Sequence, residues 1–299
     1  MQSKLAQIDD CYIHYVEMCD CDAPKGTLIF LHGFPENWRT WRNQMTHFCK
    51  HYRVIAPDLP GYNQSSKPND IEFYQVTNLV EVLSRFVTFV AAGQPVSLIA
   101  HDWGGAIAWP LVAFHADLFS SLVILNAAHP STFTREMISN QVQREKSGYI
   151  HQLIASDAIE KVSEDDFRFL KDMFLDENGN SALTPAEILE YQQSWQISGV
   201  LDAMLNYYRV MPQLAPVNTN GHASGPVKDT QKMKIPNIRI NVPTLVLWGI
   251  RDLAFVPEIL NGLDDYVPNL KVVRFENANH WLHHQYPQQV NEQIERFLG

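Results

Sequence analysis

The sequence predicts an α/β fold: a mostly parallel sheet covered by helices on both faces, with a helical block inserted late in the chain. Three observations predict it. Continuous apolar runs of strand length recur along the chain, as expected of strands buried on both faces. Segments of helical period alternate with them. Between residues 130 and 216 no such apolar run occurs, and the pattern there is helical throughout. With 299 residues, the chain is long enough for one large core or two modest lobes.

Residues 27–31, Thr-Leu-Ile-Phe-Leu, form the first apolar run, and residues 53–56, closed by Pro57, form the second. Residues 76–92 carry Leu79, Val82, Leu83, Phe86, Val87 and Val90 on one helical face. Strands follow at 97–100 and 122–125, with an apolar helix at 106–114 between them. Two more strands, 244–248 and 271–275, precede a closing amphipathic helix at 290–298. In the inserted block, residues 145–154, 164–175, 185–196 and 199–211 read as helices. Thr184-Pro185-Ala186-Glu187 is a helix start, with a capping residue, a proline in the first turn and an acid after it. Residues 218–236, rich in Gly, Asn, Thr and Pro, read as a surface return. The expected division is a core of residues 1–130 and 231–299, with a helical cap and return loop at 131–230. The cap reads as a lid.

Composition narrows the function. Hydrophobic residues make up 45% and charged residues 19%, ordinary for a soluble globular protein. The net charge of −10 argues against nucleic acid or an anionic membrane as partner. No apolar run reaches bilayer-spanning length and no secretory pattern opens the sequence, so a cytoplasmic location is expected. Cys11, Cys19, Cys21 and Cys49 lack paired CxxC spacing and read as free thiols of a reducing compartment.

The chemistry concentrates at residues 97–105, Ser-Leu-Ile-Ala-His-Asp-Trp-Gly-Gly. Strand, sharp turn, helix is the geometry of a nucleophile elbow, where small residues flank the nucleophile because backbones pack closely. The small flanks are Ala100 and Gly104, and the residue at the tip is Asp102 rather than serine. A serine attacking a saturated carbon would leave an inert ether. A carboxylate leaves an ester whose carbonyl belongs to the enzyme, so an aspartate elbow points to alkyl transfer followed by hydrolysis.

Leu31-His32-Gly33-Phe34-Pro35-Glu36 follows the first strong strand, where an α/β hydrolase places half of its oxyanion hole. The N–H of Phe34 is one expected donor and that of Trp103 the other. Asp252, just beyond a late strand, sits where the functional face of a parallel sheet lies. His280, after the last strand, completes the order nucleophile, acid, base. His283 and His284 follow it, but no Glu stands in zincin spacing, so a solvated or packing role is expected rather than a metal site.

At these residues the chain resembles the α/β-hydrolase-fold epoxide hydrolases. The matching segments are His-Gly-Phe-Pro-Glu at 32–36, His-Asp-Trp-Gly-Gly at 101–105, Trp-Gly-x-x-Asp ending at Asp252, Asn-His-Trp around His280 and Met204-Leu-Asn-Tyr-Tyr-Arg209. The resemblance covers nearly the whole chain. It implies a small-molecule epoxide and water as substrates, no metal or organic cofactor, and two lid tyrosines that hold the epoxide oxygen. The second tyrosine falls at Tyr208 and the first at Tyr149. The residues after Tyr149 depart from the family's aromatic pattern, and His151 is an alternative donor. His32, Pro35, Trp103 and His151 are expected to line the substrate pocket.

Dehalogenases of the same fold share the aspartate nucleophile and are the rival expectation. The fluoroacetate enzymes carry Arg after the nucleophile, where this chain has Trp103. Many haloalkane enzymes carry Asn or Glu where it has Phe34. Tyr208 favours the epoxide, because an alkoxide leaving group gains from a phenolic donor and a halide needs none. A catalytically silent binding protein of this fold would usually lack a triad member, and here nucleophile, acid and base are all present.

Overall fold

The computed structural model describes residues 1–211 and 233–299. Eight strands form one sheet: β1 (Gln2–Ile8), β2 (Cys11–Met18), β3 (Thr27–Leu31), β4 (Arg53–Pro57), β5 (Val96–His101), β6 (Phe119–Leu125), β7 (Thr244–Gly249) and β8 (Leu270–Phe275). Their order is β1-β2-β4-β3-β5-β6-β7-β8. The pairs β1–β2 and β2–β4 are antiparallel, and every other pair is parallel. The central strands β5 and β7 are buried at every residue, which is why they read as unbroken apolar runs.

The helices are α1 (Arg42–Phe48), α2 (Val76–Ala91), α3 (Asp102–Phe114), α4 (Pro130–Ser139), α5 (Gln141–Lys146), α6 (Ile150–Leu153), α7 (Ala158–Asp172), α8 (Pro185–Trp195), α9 (Val200–Arg209), α10 (Leu282–Gln285) and α11 (Pro287–Leu298). The sheet separates two apolar clusters. On one face Ile29, Leu31, Leu98 and Val246 pack with Leu79, Leu83 and Phe86 of α2 and Ile107 and Leu111 of α3. On the other, Phe30, Ile99, Val123 and Leu247 pack with Met45 and Phe48 of α1 and Val290 and Ile294 of α11. Alternate residues of each strand serve opposite faces, as the pleat requires.

Helices α4 to α9 lie between β6 and β7 in the chain. The helix expected at 145–154 is interrupted by a short turn of 3₁₀ helix at Ser147–Tyr149. In α7, residues Glu164 to Phe167 leave helical geometry, and Asp165, Asp166 and Phe167 take positive φ, so this stretch is two helical pieces across a kink. Helix α8 opens on a capping box: Thr184 Oγ1 accepts the Glu187 N–H, and the Glu187 carboxylate accepts the Thr184 N–H. The expected surface return at 218–236 falls largely outside the described residues. Among the described residues no helix is long and apolar enough to cross a membrane.

Candidate active site

Strand β5 runs straight into helix α3, and Asp102 stands at the junction with φ of +49°. That left-handed conformation is costly for a residue with a Cβ and persists only where surrounding contacts impose it. Those contacts are close. A Cβ on Gly104 would lie 2.5 Å from the backbone oxygens of Leu31 and His32. One on Gly33 would lie 2.3 Å from Oδ1 of Asp102. Both positions therefore need glycine for room.

The loop after β3 supplies the first partner. The Phe34 N–H donates to Asp102 Oδ1 at 2.7 Å, and the Phe34–Pro35 peptide is cis. Trp103 occupies the first turn of α3, where backbone N–H groups have no acceptor within their own helix. The amide of Trp103 thus belongs to a helix N-terminus beside the Asp102 carboxylate, a favourable setting for negative charge.

Two loops at the carboxyl ends of β7 and β8 bring in the acid and the imidazole. His280 Nε2 lies 3.7 Å from Asp102 Oδ2, and His280 Nδ1 lies 2.8 Å from Asp252 Oδ2. Asp252 is held from every side: its Oδ1 accepts the N–H groups of Ala254 and Phe255 at 2.6 and 3.0 Å, and its Oδ2 accepts Asn126 Nδ2 at 2.5 Å. Burial by itself lowers the basicity of His280, but the carboxylates of Asp252 and Asp102 outweigh it and raise the imidazole to about 10.

Asn126 was not legible as a site residue. It ends β6 with a positive φ, accepts the Gly249 N–H at 2.7 Å and donates to Asp252, so it ties the acid-bearing turn to the neighbouring strand. A lone Asn after an apolar run was its only sequence signal.

The inserted helices close the site from above. Tyr208 of α9 is wedged edge-on against Phe34 (centroids 5.1 Å apart) and Trp103 (5.2 Å). The Tyr149 ring is 6.4 Å from that of Tyr208. Burial first, then the nearby Asp102 carboxylate, raises the phenol pKa of Tyr149, and burial with the neighbouring Tyr149 and Asp102 does the same for Tyr208. Both phenols therefore stay protonated through neutral pH and can donate.

Two cavities meet at Asp102, Tyr149, Tyr208 and Ala254. The smaller, about 170 Å³, is lined by His280, Asn279 and Asp172 as well as Phe34 and Trp281. The larger, about 350 Å³, is walled by apolar groups such as Trp103, Pro110, Phe133, Ile150 and Phe255.

Three residues expected in the pocket lie elsewhere in the described structure. His32 is fully buried behind the loop, where its Nε2 accepts the Leu59 N–H at 2.9 Å and its Nδ1 meets the Gly33 carbonyl at 2.9 Å. Pro35 turns its carbonyl to Trp195 Nε1 at 2.7 Å. His151 sits one residue into α6, beyond Ile150, which takes the place on the wall. None of the three lines either cavity. His283 is not solvated: it is fully buried, with its ring tilted against that of His101 (centroids 4.4 Å apart) and its Nε2 2.6 Å from Thr40 Oγ1. Its burial lowers its pKa to about 4. Glu36, also buried, is held well below the usual carboxylate range despite the opposing effect of burial, because His284 and His283 flank it.

This arrangement of elbow, oxyanion loop, acid and imidazole on the rim of a mostly parallel sheet defines an α/β hydrolase. A model of the alpha/beta hydrolase fold family matches residues 26–287, and the chain belongs to that family. Several of its relatives are epoxide hydrolases. Epoxide hydrolase 3 of Xenopus tropicalis is 31% identical, over 95% of this chain and 74% of the relative. Epoxide hydrolase 2 of Caenorhabditis elegans is 30% identical, over 99% and 79%. Among solved structures, a mutant of an epoxide hydrolase from Bacillus megaterium superposes with a TM-score of 0.85 at 29% identity, over 99% of both chains.

Proposed function

We propose that this protein opens an epoxide to a vicinal diol through a covalent ester on Asp102, with the inserted helices acting as its cap. The observation that supports the reading is that one carboxylate, Asp102, and two phenols, Tyr149 and Tyr208, line both of two adjoining cavities. The Phe34 N–H holds Oδ1 of Asp102, which leaves Oδ2 to attack a ring carbon in line with its C–O bond. The carbon–oxygen bond breaks, and Tyr208 with Tyr149 donates a hydrogen bond and then a proton to the departing oxygen.

Esterification removes the negative charge that helps keep His280 protonated. With only Asp252 beside it, the imidazolium becomes more acidic and gives its proton to solvent, from which the tyrosinate recovers one; the neutral imidazole then serves as general base for a water. Hydroxide adds to the Asp102 carbonyl carbon. The charge that develops on Oδ1 meets the amides of Phe34 and Trp103, each such donor being worth about 3 kcal/mol. His280 returns its proton to the departing oxygen, the diol leaves, and the new carboxyl group passes its remaining proton to the imidazole, which regenerates the carboxylate with one oxygen from water. The small-molecule partners are thus an epoxide and water.

The test is a single turnover of styrene oxide in ¹⁸O-labelled water, followed by digestion and mass analysis of the peptide that carries Asp102. Label in that side chain supports the reading. Diol formed with no label there ends it. Halide release from a bromoalkane at a rate above diol formation would move the assignment to the dehalogenases.

A further inference from the structure

We infer that Trp195 and Tyr191, on helix α8 of the insertion, are positioning residues for the oxyanion loop and act on the reaction through Phe34. The inference rests on the alkyl-enzyme reading above. The Phe34 amide is useful only while the loop keeps it aimed at Asp102 Oδ1. Pro35, the next residue, has no N–H, so its carbonyl is the one backbone handle it offers. That carbonyl accepts the Trp195 indole N–H at 2.7 Å. One residue further, Glu36 Oε1 accepts the Tyr191 hydroxyl at 3.0 Å.

The two side chains are four residues apart and so share one face of α8. Both are buried, with rings 6.3 Å apart and nearly parallel. The helix itself is fixed by its capping box and by an ion pair between Glu190 and Arg42 of α1. A rigid element of the insertion therefore grips the two residues that follow the oxyanion donor.

The consequence differs between the two chemical steps. During alkylation the carboxylate loses its charge, so a slackened Phe34 amide costs that step nothing. During hydrolysis the charge returns to Oδ1 in the transition state, and a slackened amide slows it. Complete removal of an oxyanion donor costs about 10²–10³ in rate, and loosening one should cost about tenfold. When the second step slows alone, kcat and KM fall together and kcat/KM stays constant.

The experiment compares wild type with Trp195→Phe and Tyr191→Phe, which keep an aromatic side chain at each position and remove the donors. Styrene oxide is the probe, read by steady-state kinetics, quenched-flow bursts and intact mass. The expected result is that kcat and KM both fall about tenfold in Trp195→Phe and less in Tyr191→Phe, with more ester-bearing enzyme at steady state. A fall in kcat/KM that matches the fall in kcat, without added ester, would show mere loosening and overturn the inference. So would unchanged constants in both variants. If Trp195→Phe melts well below wild type, Tyr191→Phe decides by the same criteria. Wild type that turns over without any burst or adduct overturns the alkyl-enzyme reading itself, a result distinct from these.

Discussion

The two halves of the site are held by different forces. On the sheet rim, Asp102, Asp252 and His280 are fixed by hydrogen bonds of 2.5 to 3.0 Å that end on backbone amides, an imidazole or Asn126. On the insertion, Tyr208 is fixed by edge-on aromatic packing against Phe34 and Trp103. Directional bonds suit groups whose orbitals must point along a line, and they cost little reorganisation when charge develops. Nondirectional packing suits a donor that must follow an oxygen as it moves away from carbon. In the proposed mechanism the rim supplies the nucleophile and the ester-cleaving groups, and the insertion supplies the phenols that receive the departing oxygen.

That assignment can be broken at several points. The largest effect is expected from Asp102→Asn, which removes the nucleophile and should cut diol release by about 10⁴ or more, followed by chromatography of the product. Next comes His280→Gln. It should lower turnover by about 10³ while leaving alkylation intact, so mass spectrometry should find protein plus one substrate. Turnover at the wild-type rate in that variant would remove His280 from the rim machinery. Tyr149→Phe together with Tyr208→Phe should slow ring opening by about 10² or more without trapping ester. Ester accumulation in the double variant would dissolve the division between the halves.

Smaller changes sharpen the picture. Asn126→Ala strips one partner from Asp252 and leaves the Gly249 N–H unpaired in the interior, so chemical denaturation should report a loss of about 1–3 kcal/mol. A further effect is the pH dependence of stability. The His280 imidazole is raised from 6.5 to about 10 in the folded state, so its contribution is complete below pH 6.5 and is lost as pH rises towards 10. The difference in denaturation midpoint between wild type and His280→Gln should shrink over that interval. A difference that grows instead would reverse the sign of the interaction.

The sequence made the parallel part of the sheet easy to read, because β3, β4, β5, β6 and β7 are buried on both faces and show unbroken apolar runs. The β1–β2 hairpin was not anticipated. Strand β1 buries only alternate residues near its end, and the polar residues Gln2, Ser3 and Gln7 at exposed positions dilute the apolar signal. Helix α4 was missed as well, since its buried residues include Ser131, Thr132 and Thr134, which carry no apolar period. The residues expected to carry the chemistry each follow a strand or sit in a short motif, which made them legible. Their supports did not share that advantage: Asn126, Trp195 and Tyr191 act on partners more than 120 residues away. His32, Pro35 and His151 line neither cavity, because neighbourhood in sequence does not reveal which side of a loop faces it.

The proposed attack by Asp102 on an epoxide whose oxygen is held by Tyr149 and Tyr208 has a stereochemical outcome. A carboxylate that enters from the face opposite the departing oxygen inverts the carbon it strikes. The later cleavage breaks the acyl–oxygen bond and leaves that carbon untouched. A single enantiomer of substrate attacked at one carbon should therefore yield a single enantiomer of diol, its handedness decided by which ring carbon the walls present to Asp102.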